Sequence, residues 1–345
     1  MNTSRNLIVA IALSVSFLNV QANFQKNIHK SWPMQNVKAL TVDSKFGNIN
    51  FISNRDDSVT IDVLLQIENI SASKAEAIAK QIEFYFTISD GTVSARTEFN
   101  DRFKTNSDFK IVYTINIPID RHLVIENKFG DVTLGNLKAK GNFDIQYGNI
   151  YGQNLSAPNN EKIELNLKFG NATFNNINRL NAEVGYSKLN TGNIESAEFD
   201  TQYSTMKVGE VGTFRAESKY DTFTAKSVKD LTVESKFTGW KIDLLQSIFD
   251  ITTQYGDITI YEVNKNFESI KIDNSFGNIK IGIPADASYQ LESESSFCEV
   301  YFPNGEIIKK TEDNYNKYIK AMIGKTTGSA KVNINTRYGK VKLMN

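Results

Sequence analysis

The chain has 345 residues, with 39 Lys+Arg against 39 Asp+Glu, so its formal net charge is zero. That balance excludes the basic footprint of a nucleic-acid binder or of a protein held on an anionic membrane surface. A single cysteine excludes a disulfide framework and a cysteine-rich zinc site, and two distant histidines, His29 and His122, argue against a His-based metal or catalytic centre.

The first residues carry an export signal. Arg5 supplies a positive start, residues 7–18 are apolar, and Val20 and Ala22 are small residues at the −3 and −1 positions before Asn23. The apolar run is shorter than the ~20 residues of a bilayer span. Residues 1–22 are therefore expected to be a signal peptide. No cysteine follows to take a lipid and no second apolar run reaches span length. The mature chain is expected to be exported and not membrane-spanning.

Residues 23–120 read as a β-rich cap with one helix. Strand-like runs fall at 59–67, 83–89 and 108–118. Between the first two lies a segment whose Ala75, Ile78, Ala79 and Ile82 form an apolar helical stripe, with Ser73 and Glu76 spaced as a capping box.

From residue 121 one pattern recurs: alternating apolar residues, a small residue, Lys or Gln, then Phe or Tyr, then Gly, then alternation again. Its aromatic–glycine pairs are Phe129/Gly130, Tyr147/Gly148, Phe169/Gly170, Tyr255/Gly256, Phe276/Gly277 and Tyr338/Gly339, with an early copy at Phe46/Gly47. Tyr186, Tyr203, Tyr220 and Phe237 continue it without the glycine, and Phe297 is followed by Cys298. From Phe169 to Phe237 the interval is 17 residues four times running. A fixed short period means stacked supersecondary units, and strict alternation makes them strands rather than helices. The expected fold is all-β: a right-handed parallel β-helix of about ten rungs over 121–345, closed by the N-terminal cap. In this reading the aromatic anchors pack in the core and the glycines supply the unusual backbone angles of the bend. Residues 305–328 read as a polar insertion before the final rung.

Three residues before the anchors, Glu183, Asp200, Glu217 and Glu234 fall in consecutive rungs. Stacked at the ~4.8 Å strand spacing, they form an outward acidic column. Neighbouring Lys128, Lys168, Lys219, Lys236 and Arg215 are expected to neutralise it. The alternative is a strip that binds sugar or a cation. No catalytic residues, metal ligands or cofactor site are expected. An enzyme would break the repeat at one place, whereas these acids and lysines recur rung after rung.

The KFGN, KFGD, QYGN and QYGD turns, with the run into Phe129 at 117–132 and the run out at 281–289, resemble a family of secreted β-strand-repeat candidate adhesins of Bacteroidetes-type bacteria. The resemblance implies a non-catalytic envelope or surface module that binds a glycan, protein or other surface ligand. It implies a place in the periplasm, on the outer membrane or outside the cell. A monomer is expected, because a capped rod has no free end. The alternatives are a polysaccharide lyase or hydrolase on the same scaffold and an envelope subunit stacking end to end.

Overall fold

The computed structural model describes residues 24–52, 57–68, 70–325 and 330–344. The export signal expected at 1–22 lies outside them.

The alternating residues form a parallel β-solenoid. Its centre is four strands of fifteen residues, Asn171–Gly185, Lys188–Gln202, Thr205–Lys219 and Thr222–Lys236. Each pairs in parallel with the next, residue for residue at the 17-residue interval. Within the last of them Phe223, Ala225, Val228, Leu231 and Val233 are buried. Burying each such side chain contributes ~1.5–3 kcal/mol, and a stack of rungs repeats that gain without disulfides. Each strand crosses a second bend, where pairing skips Gly212 and Lys229. The apolar column expected at that corner is present: Leu155, Ile177, Ile194, Val211, Val228 and Leu245 are all buried.

The first corner differs from expectation. The anchors do not enter the core. Tyr186, Tyr203 and Tyr220 are 55%, 44% and 47% exposed, and the anchors from Phe46 to Tyr338 all lie between 36% and 55%. The aromatic residue itself is the left-handed one: φ is 53° at Tyr186, 52° at Tyr203, 60° at Tyr220 and 56° at Phe237. A single left-handed residue turns the chain and reverses the parity of alternation. The side chain at the turn therefore leaves the buried face, and the next residue enters it.

The glycine after the anchor does not have the role expected of it. Gly47, Gly130, Gly148, Gly170, Gly256, Gly277 and Gly339 do not supply the left-handed angle; among the described glycines only Gly91 and Gly324 have positive φ. Close approach between rungs is the cause instead. A Cβ on Gly148 would lie 2.0 Å from the Gly130 carbonyl oxygen, and one on Gly170 would lie 1.9 Å from that of Gly148. A Cβ on Gly256 would lie 2.1 Å from the Thr238 carbonyl oxygen, and one on Gly277 would lie 2.1 Å from that of Gly256. Gly339 would meet the Gly277 carbonyl in the same way, at 2.2 Å. In these rungs a side chain at the position would run into the carbonyl of the adjoining rung unless the backbone shifted.

At the N-terminal end Ala39–Lys45 and Gly47–Ile52 form a full rung beneath that of Phe129. Thr92–Phe99 and Phe109–Asn116 cover its other side, again in parallel. Phe24–Pro33, Ser58–Ile67 and Ile82–Ser89 extend this cap antiparallel. The helix is Ala72–Ala79 and buries Ala75, Ile78 and Ala79. Its N-cap is Ser71, with no side-chain capping bond, so the Ser73/Glu76 box does not form.

At the other end chain order and spatial order part. The last strand, Ala330–Met344, lies between the Phe276 rung and the Tyr289–Tyr301 strand and is parallel to both. The polar insertion is a hairpin, Gly305–Glu312 with Asn316–Ile323, whose second strand runs antiparallel to Tyr289–Tyr301. All eight residues of Gly305–Glu312 are exposed and a bulge interrupts their pairing. Exposed lysines and a bulge blunt a sheet edge against further pairing.

Candidate ligand-binding surface

Because every rung turns at its aromatic, the rings form one column. From Phe46 through Phe129, Tyr147, Phe169, Tyr186, Tyr203, Tyr220, Phe237, Tyr255, Phe276 and Tyr338 to Phe297, neighbouring centroids lie 4.7–5.1 Å apart, with planes within 18°. The backbone fixes this spacing. The Tyr186 amide donates to the Gln202 carbonyl, that of Tyr203 to Lys219, and that of Tyr220 to Lys236. A left-handed non-glycine residue costs ~1–2 kcal/mol. Each ring stack contributes ~0.5–1.5 kcal/mol, and an interior ring has two, which offsets the strain.

Stacking also decides what the column presents. Both faces of each interior ring are covered by its neighbours, so a sugar cannot lie on them. The ends are covered too. Phe46 meets Phe99 and Phe109 edge-on, and Phe297 meets Tyr315 at 4.8 Å. What faces solvent is a continuous strip of ring edges and phenol hydroxyls.

Beneath the strip runs a buried polar seam that the sequence pattern showed only as small residues. In the rungs without glycine, Ser187, Ser204, Asp221 and Thr238 occupy the glycine position and are buried. The backbone amide of each rung donates to the side chain of the next. Ser187 donates to Ser204 Oγ at 3.2 Å, Ser204 to Asp221 Oδ1 at 2.6 Å, and Asp221 to Thr238 Oγ1 at 3.3 Å. Asp221 Oδ2 further accepts from Thr201 Oγ1 and Ser218 Oγ, both at 2.7 Å, and from the Lys219 amide at 3.0 Å. Burial pushes the Asp221 carboxyl up, and these hydrogen bonds oppose that shift. Cys298 occupies the same column opposite Gly339, and burial pushes its thiol up.

The acidic column is in register, with Glu183 beside Asp200, Asp200 beside Glu217 and Glu217 beside Glu234. Neutralisation by contact does not occur. None of the ion pairs among the described residues includes these four acids; Glu198 pairs instead with Lys162 at 2.6 Å, and Asp250 with Lys271 at 3.3 Å. Among the described residues no group of three His, Cys, Asp or Glu is placed to hold a metal ion. No described helix is long and apolar enough to cross a membrane.

Solved structures similar to this chain share little sequence with it. A candidate adhesin from Parabacteroides distasonis is 12% identical, with a TM-score of 0.40 over 74% of this chain and 97% of that one. A candidate adhesin from Parabacteroides merdae is 13% identical, with a TM-score of 0.34 over 74% and 96%. A candidate cell adhesion protein from Clostridium sporogenes is 10% identical, with a TM-score of 0.21 over 93% and 99%. No curated protein matches the chain. The profile of one family spans residues 16–344, and by that match the chain belongs to the Toastrack DUF4097 family.

Proposed function

We infer that the mature chain is an exported, non-catalytic module of the cell envelope or surface that binds a ligand along its outer faces. The observation that carries this reading is the ring strip. Single exposed apolar residues are ordinary, but an unbroken exposed apolar strip the length of the molecule marks an interaction surface. The unpaired acidic column on the neighbouring strands adds acceptors for a ligand's donors. The blunted edge at Gly305–Glu312 supports a monomer over end-to-end stacking.

The test takes purified mature chain onto isolated envelopes and onto acidic polysaccharides. Saturable envelope binding without turnover is expected. Polysaccharide cleavage lost in Glu217→Ala or Glu234→Ala would replace this reading with the lyase or hydrolase one.

A further inference from the structure

A groove of about 840 Å³ follows the second bend, opposite in the rung to the ring corner. It crosses the rungs of Tyr147, Phe169, Tyr186, Tyr203, Tyr220, Phe237 and Tyr255. At ~4.8 Å per rung it is roughly 30 Å long. The buried corner column, from Leu155 to Val211, forms its floor, and its walls are amides, hydroxyls and carboxylates.

Those walls are ordered before any ligand arrives. Asn154 Nδ2 donates to Asn136 Oδ1 at 2.8 Å, and Asn176 Nδ2 to Asn154 Oδ1 at 2.7 Å. Farther along, Gln246 Nε2 donates to Ser227 Oγ and Asn264 Nδ2 to Gln246 Oε1, both at 3.2 Å. Between these two ordered stretches stand Glu195 and Glu210, both exposed. Among the described residues neither takes part in any ion pair within 4.0 Å and no side-chain hydrogen bond engages either carboxylate. The groove thus offers polar groups on every rung, hydrogen-bonded in place toward its two ends, with two unengaged carboxylates at its middle.

Spacing and chemistry select the ligand. An extended peptide rises ~3.3 Å per residue, so it comes into step with ~4.8 Å rungs only at every third residue and leaves alternate rungs unmatched. One pyranose unit of an extended glycan is about as long as one rung interval, so its hydroxyls meet the polar side chains of one rung at each step. Side-chain amides donate to and accept from hydroxyls, carboxylates accept from them, and charge-assisted bonds to Glu195 and Glu210 are the stronger ones. Two acids facing the single Lys229 disfavour an acidic polymer. No aromatic ring lines the groove, so recognition works through hydroxyls rather than ring stacking. We propose that this groove binds a linear neutral glycan lying along the solenoid axis, one sugar per rung. The proposal rests on the ligand-binding reading above but places this ligand away from the ring strip.

The test is an array of neutral α- and β-linked oligosaccharides, probed with the full mature chain and followed by calorimetry on a length series of any sugar that binds. Affinity is expected to rise with chain length until the groove is filled. Glu210→Gln and Asn193→Ala should each lower it about tenfold, while Lys74→Gln, at an exposed position on the helix of the N-terminal cap, leaves it unchanged. Binding to no neutral glycan, length-independent binding, or binding unaffected by both groove variants overturns the proposal. Envelope binding that persists in the groove variants would leave the broader reading standing while this one falls.

Discussion

Tyr220 and Phe237 stack with centroids 4.7 Å apart and planes 3° apart, and both residues are left-handed, with φ of 60° and 56°. The turn and the stack are one device. The left-handed residue aims its ring outward, and the rung spacing places the next ring over it.

An unusual order of substitutions follows at Tyr203, which has stacked neighbours on both sides. Tyr203→Ala loses both stacks and keeps the strain, at a cost of about 1–3 kcal/mol. Tyr203→Gly loses the same stacks but relieves the left-handed strain, recovering about 1 kcal/mol. Chemical denaturation should rank glycine above alanine here. The reverse order would mean that the residue is not left-handed.

Glycine near the ring should be irreplaceable where rungs touch, as at Gly148 directly after Tyr147, and dispensable where they do not, as at Gly239 two residues after Phe237. A Cβ on Gly148 meets the Gly130 carbonyl oxygen at 2.0 Å, whereas one on Gly239 meets nothing within 4 Å. Gly148→Ala is expected to cost about 1–3 kcal/mol through backbone displacement. Gly239→Ala is expected to be neutral or to stabilise by about 0.4–1 kcal/mol. Thermal midpoints of the two variants check this contrast.

Asp221 should give the solenoid a pH dependence of defined sign. Burial raises its carboxyl in the fold, so the folded chain holds that proton more tightly than the unfolded one does. Its stabilising contribution is complete below the ordinary carboxylate value of ~3.9 and is lost as pH rises through the raised folded value. Asp221→Ser keeps an acceptor for the Ser204 amide, as Ser204 does for Ser187. The melting temperature of the native chain relative to this variant is expected to rise as pH falls from neutral into the carboxylate range. A difference independent of pH would show that Asp221 is not desolvated.

The in-register acids Glu217 and Glu234 repel one another, with no ion pair to relieve them. Glu217→Gln is expected to raise stability by a few tenths of a kcal/mol at low salt. The gain should fade at high salt, where screening already suppresses the repulsion. Melting curves across an ionic-strength series measure it.

The sequence reveals the winding because burial repeats with period two and the rungs repeat with period 17. Trp240 and Ile242, three and five residues after Phe237, are buried as the alternation requires. The same alternation misplaces the rings. Parity counted up to Phe237 puts it inside, and only its positive φ, which no pattern of residue types displays, turns it out. The glycines mislead in the same way: Gly256 and Gly277 sit beside the turn, but what they answer to is the carbonyl of the rung below, which chain order does not show. Asp221 and the seam around it are legible only as small or polar residues at a turn. Their burial comes from neighbouring rungs, about 17 residues away in each direction. The insertion of Ala330–Met344 between two earlier rungs is likewise invisible in chain order, because any rung fits against any other with the same alternation.

Tyrosine nitration of the folded chain, read by mass spectrometry, tests the outward ring column most directly. Tyr186, Tyr203 and Tyr220 should react in the native state, whereas Tyr113 and Tyr289, 0% and 1% exposed, should react only after unfolding. Burial, which raises the Tyr113 phenol to about 12, adds to that protection. Protection of Tyr186, Tyr203 and Tyr220 alongside Tyr113 would place the rings inside the coil and contradict the account.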